Sequence, residues 1–282
     1  MASDADKLFK RLDDLLDRLE QIMPADRTTD CDWSYSAYRW QDRQLIGIAD
    51  YHRVDENELL HIERQADILG RNTRQFVRGL PANNALLWGA RGTGKSSLIK
   101  AQLNQFRDEA LCLVEVGKRE TENLFEIITT LSLDERKYIL YLDDLSFESD
   151  DESYKALKAT LEGSIQAQPD NVLIYATSNR RHLMPESMQD NLDSRVDDGQ
   201  LHPSDAIEEK ISLSDRFGLW LSFHPFTQQQ YLDVVEQALR KYDIDMDSEL
   251  QTEAIRFATQ RGSRSGRIAC QFATYWLGAT LD

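Results

Sequence analysis

Eight residues, GARGTGKS from Gly89 to Ser96, have the types and spacing of a phosphate-binding loop. The glycines let the backbone curl so that successive N–H groups point at phosphate oxygens, and a helix predicted from Ser96 adds partial positive charge. In this pattern Lys95 reaches the β- and γ-phosphates and the Ser96 hydroxyl binds Mg²⁺. The alternative is a glycine-rich turn with a structural use alone. The predicted nucleotide-binding residues are Gly89, Ala90, Arg91, Gly92, Thr93, Gly94, Lys95, Ser96 and Ser97.

Two adjacent carboxylates, Asp143 and Asp144, follow the apolar run ILYL. Buried acids without partners have raised pKa values or destabilise a fold, so the pair needs a reason. In phosphate-loop folds an acid at the tip of a neighbouring strand holds Mg²⁺, usually through water, and Asp143 fits that position. Asp144 is then expected on the γ-phosphate side, where it can polarise the attacking water. The alternative is that Asp144 caps a following helix or turn.

A third apolar run, VLIYATSNRR from Val172 to Arg181, ends in polar residues. A strand with this ending, after a phosphate loop and an acidic strand tip, resembles the AAA+ ATPases. The resemblance implies that this strand lies between the other two, that Asn179 senses the γ-phosphate, and that the nucleotide is ATP. It also suggests an adenine pocket around Ile62–Leu69. Taken alone, an Asn after a strand is usually a turn former.

The resemblance also gives roles to two arginines. Ring-forming AAA+ proteins often carry an arginine just before the last strand, projecting into the neighbouring subunit's site, and Arg216 matches it. The alternative for Arg216 is a surface ion pair with Asp215 or another acid. The segment SGRIA resembles the second sensor of a lid helix, for which Arg267 is the first choice and Arg264 the second. A basic helix end that serves a partner is the alternative there.

Five segments have sequences similar to those of one group of bacterial predicted AAA+ ATPases of unknown function: LLWGARGTGKSSLIKA, YLDDLSF, ATSNRRHL, EEKISLSDRFGLWLSF and GRIACQF. The resemblance covers about residues 60–282 and implies no known substrate. Many AAA+ members have Asp-Glu where this chain has Asp143-Asp144. An acidic stretch at about 185–215 is longer than a simple connection needs, and we interpret it as a contact surface for basic partners or as a solvated loop.

Short apolar strands and helical segments alternate from Ala85 onward, which predicts an α/β fold with a parallel sheet and helices on both faces. The resemblance refines this to a three-layer α/β/α phosphate-loop sheet of AAA+ type with a small C-terminal helical lid and an N-terminal helical extension. Strands are predicted at 85–88, 111–116, 138–142, 172–176 and 219–223, and helices at 96–106, 122–131 and 153–166. The predicted domains are the extension at 1–60, the nucleotide-binding domain at 61–225, and three lid helices at 226–282.

The extension contains an amphipathic helix, predicted for Ser3–Met23, followed by a cluster of aromatic residues. The cluster either docks this helix onto the main body or stacks nucleic-acid bases. It consists of Trp33, Tyr35, Tyr38 and Trp40.

The 282-residue chain is 41% hydrophobic and has a net charge of −16. That charge disfavours a broad nucleic-acid surface, although a local basic patch is still an alternative. The sequence predicts a cytoplasmic protein with free thiols. Its three cysteines are scattered, it shows no basic and apolar leader, and no apolar run reaches membrane-spanning length.

We therefore expect a Mg²⁺-dependent ATPase whose hydrolysis drives conformational change of a macromolecular partner, acting as a homo-oligomer. Two alternatives are a nucleotide-dependent switch with little turnover and a DNA-handling loader.

Overall fold

The computed structural model describes residues 31–147, 152–162, 169–180, 195–197, 200–202 and 216–279. The predicted helix Ser3–Met23 lies outside these ranges. Most of the acidic stretch at 185–215 also lies outside these ranges. Only the backbone of a two-stranded antiparallel ribbon is described there, formed by Arg195–Asp197 and Gln200–His202.

Seven strands form one sheet in the order β2-β1-β4-β5-β6-β3-β9, and every neighbouring pair is parallel except β1 with β2. This confirms the predicted α/β fold class and the position of β6 between β5 and β3. The strands are β1 Ala37–Gln41, β2 Gln44–Gly47, β3 Ala85–Gly89, β4 Leu111–Val116, β5 Lys137–Leu142, β6 Val172–Ser178, β7 Arg195–Asp197, β8 Gln200–His202 and β9 Leu219–Phe223.

Helices in the described ranges cover the sheet and form the C-terminal lid. The predicted helix at 122–131 is divided into a 3₁₀ segment, Lys118–Asn123, and an α-helix. Two further 3₁₀ segments are Glu56–Glu58 and Arg107–Glu109. The α-helices are α1 Glu63–Val77, α2 Lys95–Gln105, α3 Leu124–Leu131, α4 Glu152–Glu162, α5 Gln228–Arg240, α6 Ser248–Gln260 and α7 Gly266–Ala279.

Each face of the sheet is buried against helices, so the central strands are apolar on both sides. Along β5, Leu140 and Leu142 enter the core shared with α3 and α4, whereas Ile139 and Tyr141 enter the core shared with α1 and α2. Because these strands are parallel, the residues that follow β3, β5 and β6 all meet at one edge of the sheet.

The hairpin of β1 and β2 corrects the interpretation of the aromatic cluster. Residues 37–47, within the predicted extension at 1–60, are part of the main sheet, with β1 parallel to β4. Tyr38 is 1% exposed and Trp40 is 3% exposed, so neither ring can stack on a base. The alternation of buried Tyr38, exposed Arg39 and buried Trp40 is the period of a half-buried strand. Docking of the N-terminal helix on this region is still a prediction, because that helix is outside the described residues.

One arginine holds the start of this hairpin against β5. Arg136 donates to the Tyr35 carbonyl oxygen at 2.7 Å and pairs with Asp134 at 2.6 Å. Its guanidinium carbon lies 5.6–5.9 Å from three ring centroids, a cation–π arrangement. The three rings belong to Trp33, Tyr38 and Tyr138.

The C-terminal lid has its own apolar core, formed by α5, α6 and α7. Thr227 begins α5 with a capping box, in which its hydroxyl accepts from the Gln230 N–H and the Gln230 side chain accepts from the Thr227 N–H. Within the described ranges, no helix combines the length and the apolar character needed to cross a membrane. All three cysteines fall within the same ranges, and none forms a disulfide.

Candidate functional site

The predicted phosphate loop connects β3 to α2, as its spacing requires. Gly89 has φ of 130° and Gly94 has φ of 99°, backbone conformations that favour glycine. A Cβ at Gly89 would lie 2.0 Å from the Phe223 carbonyl oxygen, so only glycine fits where the loop leaves β3 beside β9. The loop therefore wraps the N-terminus of α2, where backbone N–H groups and the helix dipole favour an anion.

Lys95 is turned back into the loop. Its ammonium nitrogen donates to the carbonyl oxygens of Gly89 and Ala90 at 2.8 and 2.7 Å, and to Asn179 Oδ1 at 3.3 Å. Burial lowers the pKa of Lys95 to about 8, although Asp144 and Asp143 favour its charged form. The lysine is thus a desolvated cation held at the position where a phosphate would bind.

Asp143 lies beside the N-terminus of α2 and accepts two hydrogen bonds on one oxygen. Ser96 Oγ donates to its Oδ1 at 2.8 Å, and Thr177 Oγ1 donates to the same atom at 2.7 Å. Burial alone would raise the pKa of Asp143, but these hydroxyls, with contributions from Tyr141 and Lys100, hold it below its ordinary value. The carboxylate is therefore kept charged, as a metal ligand must be.

These donors fit Mg²⁺. Ser96 and Asp143 supply oxygen only, which is the ligand type of this cation, and a site built from few protein ligands plus substrate phosphates is its usual arrangement. Accordingly, no group of three His, Cys, Asp or Glu residues suited to a metal occurs in the described residues. The residues that would hold the cation are Ser96 and Asp143.

Asp144 turns away from Asp143 toward Asn179. Its φ is 51°, a left-handed conformation that Asp and Asn tolerate better than most residues. Its N–H donates to Thr177 Oγ1 at 2.9 Å, and its carboxylate accepts from the Asn179 amide. The next described helix begins at Glu152, so in the described residues the Asp144 side chain contacts another side chain rather than capping a helix. Asn179 thereby joins Lys95 to Asp144.

A cavity of about 580 Å³ lies between this edge of the sheet and the lid. The phosphate loop, both aspartates, Asn179 and Arg267 line it, whereas Arg264 does not. The Arg267 N–H donates to the Gly92 carbonyl oxygen at 3.3 Å, so the N-terminus of α7 contacts the loop directly. The volume is within the range of small-ligand sites.

The linker before α1 forms another wall of the cavity and is tied to the lid by an ion pair and by a contact between a histidine and a carboxylate. Lys241 pairs with Glu58 at 2.7 Å, and Asp233 lies 2.9 Å from His61 Nε2. The lining residues here are Glu58, Leu59, Leu60 and Ile62. Of the segment Ile62–Leu69, where an adenine pocket is predicted, Ile62 lines this cavity, whereas Leu69 is fully buried in the core beneath.

Arg216 is outside the cavity lining and pairs with Glu162 at 2.6 Å, at the C-terminal end of α4. This is the kind of ion pair named as its alternative, with a different acid. A residue that acts on a neighbouring subunit is also expected outside its own site, so the contact agrees with either interpretation.

Two residues beside Asp143 were not identified from the sequence. Thr177 connects Asp143 to the Asp144 backbone, and its signal is a hydroxyl two positions before Asn179 at the same strand end. Tyr141 lies two residues before Asp143 and so shares its face of β5. A tyrosine within an otherwise aliphatic strand end was the available signal.

Comparisons with known proteins agree with this fold. A family model described as Protein of unknown function (DUF815) matches residues 33–280. Among solved structures, the Orc1 protein of Aeropyrum pernix in complex with DNA is 18% identical, with 74% of this chain and 57% of that chain covered and a TM-score of 0.52. This chain thus spans less than two thirds of the Orc1 chain.

Two other solved structures have lower TM-scores. The Thermotoga maritima RuvB Holliday junction branch migration motor is 13% identical over 79% of this chain and 70% of that chain, with a TM-score of 0.45. The FIGL-1 AAA domain in complex with ADP is 15% identical over 79% of this chain and 73% of that chain, with a TM-score of 0.49. No curated protein matches the sequence. The fold is of AAA+ type.

Proposed function

We propose that this chain, which belongs to the protein family of unknown function DUF815, is a Mg²⁺-dependent ATPase that acts as an oligomer on a macromolecular partner. One observation supports this above all. The phosphate loop, the Ser96–Asp143 pair and the Asp144–Asn179 pair converge at one sheet edge, around a cavity closed by the lid.

We infer a task for each group from its contacts. Ser96 and Asp143 would hold Mg²⁺, which would supply positive charge to the phosphates. Lys95 exchanges the loop carbonyls for phosphate oxygens. Asp144 polarises the attacking water, and Asn179 orients that water through the amide that now contacts Asp144.

The lid provides the link from nucleotide state to a partner. Arg267 contacts the loop through its backbone and lines the cavity, so a phosphate beside Gly92 acts directly on the N-terminus of α7. The Lys241–Glu58 ion pair ties the linker before α1 to the lid, so the linker would move when the lid moves. We infer that loss of the γ-phosphate changes the lid angle, a hinge-type transition.

Removal of the Lys95 charge tests nucleotide binding. A Lys95→Met variant is expected to bind ATP about 30-fold more weakly, because a charge-assisted contact to phosphate is lost. The matched control is Lys137→Met at the start of β5, the opposite edge of the sheet, where Nζ donates to the Asp170 carbonyl oxygen. Affinity is measured by titration calorimetry. Equal binding by both variants, or no binding by the parent chain, would refute the proposed function.

ATP affinity is also expected to fall as pH rises above 8. The nucleotide-free pKa of Lys95 is about 8, and phosphate oxygens favour the charged form, so the bound pKa is higher. Below pH 8 the lysine is charged in both states and affinity is constant. Above pH 8 binding must take up a proton, so affinity at pH 9 should be about tenfold below that at pH 7. The titration is repeated at each pH, and Lys95→Met should show no such decline.

The second candidate function is a nucleotide-dependent switch. It is favoured because the Asp144 carboxylate already accepts a hydrogen bond from the Asn179 amide. We do not propose DNA handling. The likeness to Orc1 bears on fold alone, and a net charge of −16 opposes phosphate-backbone contact.

A further inference from the structure

Tyr141 places a hydroxyl beneath the predicted cation site. It lies on β5 two residues before Asp143, on the face that packs against α2, and it is 1% exposed. Lys100, one turn after Ser96 on α2, lies with Nζ 5.9 Å from the Tyr141 ring centroid. The ring therefore fills the space between the strand and the helix that carries Ser96.

The Tyr141 hydroxyl is buried and makes no hydrogen bond of ordinary length in the described part of the chain, although Ser96 and Asp143 lie close enough to act on it. Burying such a group without a partner is costly, so an orphan in a packed core suggests a use. Burial raises the pKa of the Tyr141 hydroxyl, and the next largest effects on that pKa come from Ser96 and Asp143. A tyrosine hydroxyl is an O–H donor, and this one lies beside the two residues that would hold Mg²⁺.

Of the two carboxylates beside this donor in the described residues, Asp143 acts on the Tyr141 hydroxyl more strongly than Glu115 does. Glu115 on β4 is the register partner of Tyr141, but its Oε2 already accepts from Arg39 Nε and Nη2 at 2.9 and 2.7 Å. Asp143 receives both of its hydrogen bonds on Oδ1. Its second oxygen can thus accept a further bond.

We propose that Tyr141 is a positioning residue for the cation site, whose hydroxyl donates to the Asp143 carboxylate and orients it when Mg²⁺ and nucleotide are bound. This rests on the proposed function. Groups that orient a metal-binding carboxylate affect affinity for the metal although they do not touch it.

The test is a Tyr141→Phe variant, which keeps the ring and removes only the hydroxyl. A non-hydrolysable ATP analogue is titrated at a series of free Mg²⁺ concentrations and in EDTA. The Mg²⁺ midpoint is expected to rise about tenfold, while affinity in EDTA is unchanged. The thermal midpoint without ligand should change little, because in the described residues the hydroxyl makes no hydrogen bond of ordinary length.

Tyr175→Phe is the matched control, since its buried hydroxyl bonds Asn72 and Thr73. It should show the reverse, a thermal midpoint lower by about 3 °C and an unchanged Mg²⁺ midpoint. A Mg²⁺ midpoint in Tyr141→Phe within twofold of the parent chain would overturn the inference, as would an equal rise in Tyr175→Phe. If the parent chain does not bind the analogue, the proposed function itself fails.

Discussion

An Asp144→Asn variant is expected to bind ATP within about twofold of the parent chain and to release phosphate about 1,000-fold more slowly. The amide keeps an oxygen that accepts from the Asn179 side chain, as the carboxylate does now. It lacks the negative charge that draws a proton from the attacking water. Phosphate release at saturating ATP and Mg²⁺ measures turnover, and calorimetry measures binding.

Asn is the right substitution because of the backbone. Asp144 has a φ of 51°, and Asn tolerates this left-handed conformation as well as Asp does, whereas Ala would add strain next to Asp143. The control is Asp108→Asn, the same loss of charge at an exposed position at the other end of the sheet. It should leave turnover unchanged.

The same variant separates the two candidate functions. An ATPase loses turnover when Asp144 becomes Asn. A switch loses nothing, because binding alone carries its signal and the Asn179 contact persists. Slow phosphate release by the parent chain, unaltered in Asp144→Asn, would therefore contradict the catalytic role of Asp144 and favour the switch.

The parts of the site that a short sequence determines were predictable. A phosphate loop is local, since its glycines, lysine and hydroxyl fall within eight consecutive residues and between a strand and a helix. The apolar runs before Asp143 and Asn179 predicted strands, and the resemblance to AAA+ proteins supplied their order. The parallel arrangement then brings the three strand ends together, as the structure confirms.

Contacts between distant residues were not predictable from the same patterns. The hairpin of β1 was missed because its aromatic residues suit a docking surface as well as a strand, and only pairing with β4 decides between them. In the Arg216–Glu162 pair, the glutamate precedes β6 in the chain and the arginine follows it. Many other acids of this acidic chain could have been the partner of Arg216. Whether Tyr141 has a bonding partner depends on side-chain packing, which strand periodicity does not specify.

The Arg216–Glu162 pair leads to the second large prediction, which concerns assembly. Replacing Arg216 with Ala is expected to lower phosphate release about 1,000-fold at protein concentrations where the parent chain is oligomeric, because a guanidinium supplied in trans stabilises the transferring phosphoryl group. ATP binding should stay unchanged, since Arg216 is outside the cavity of its own chain. The control is Glu162→Gln, which breaks the same ion pair but keeps the arginine. A half-exposed pair of this kind contributes little to stability, so a purely structural Arg216 predicts equally small effects from both variants.

Mixing two inactive variants distinguishes action in trans from action in cis. Arg216→Ala subunits have an intact Asp144, and Asp144→Asn subunits have an intact Arg216, so each can complete the other only across an interface. In a randomly mixed ring with equal shares, about a quarter of the sites combine an intact Asp144 with a neighbour's Arg216. Phosphate release should therefore recover to about a quarter of the parent rate on mixing, and it should rise with protein concentration. No recovery, with both variants inactive, folded and able to bind ATP, would place the action of Arg216 within its own subunit and remove the main support for an oligomeric mechanism.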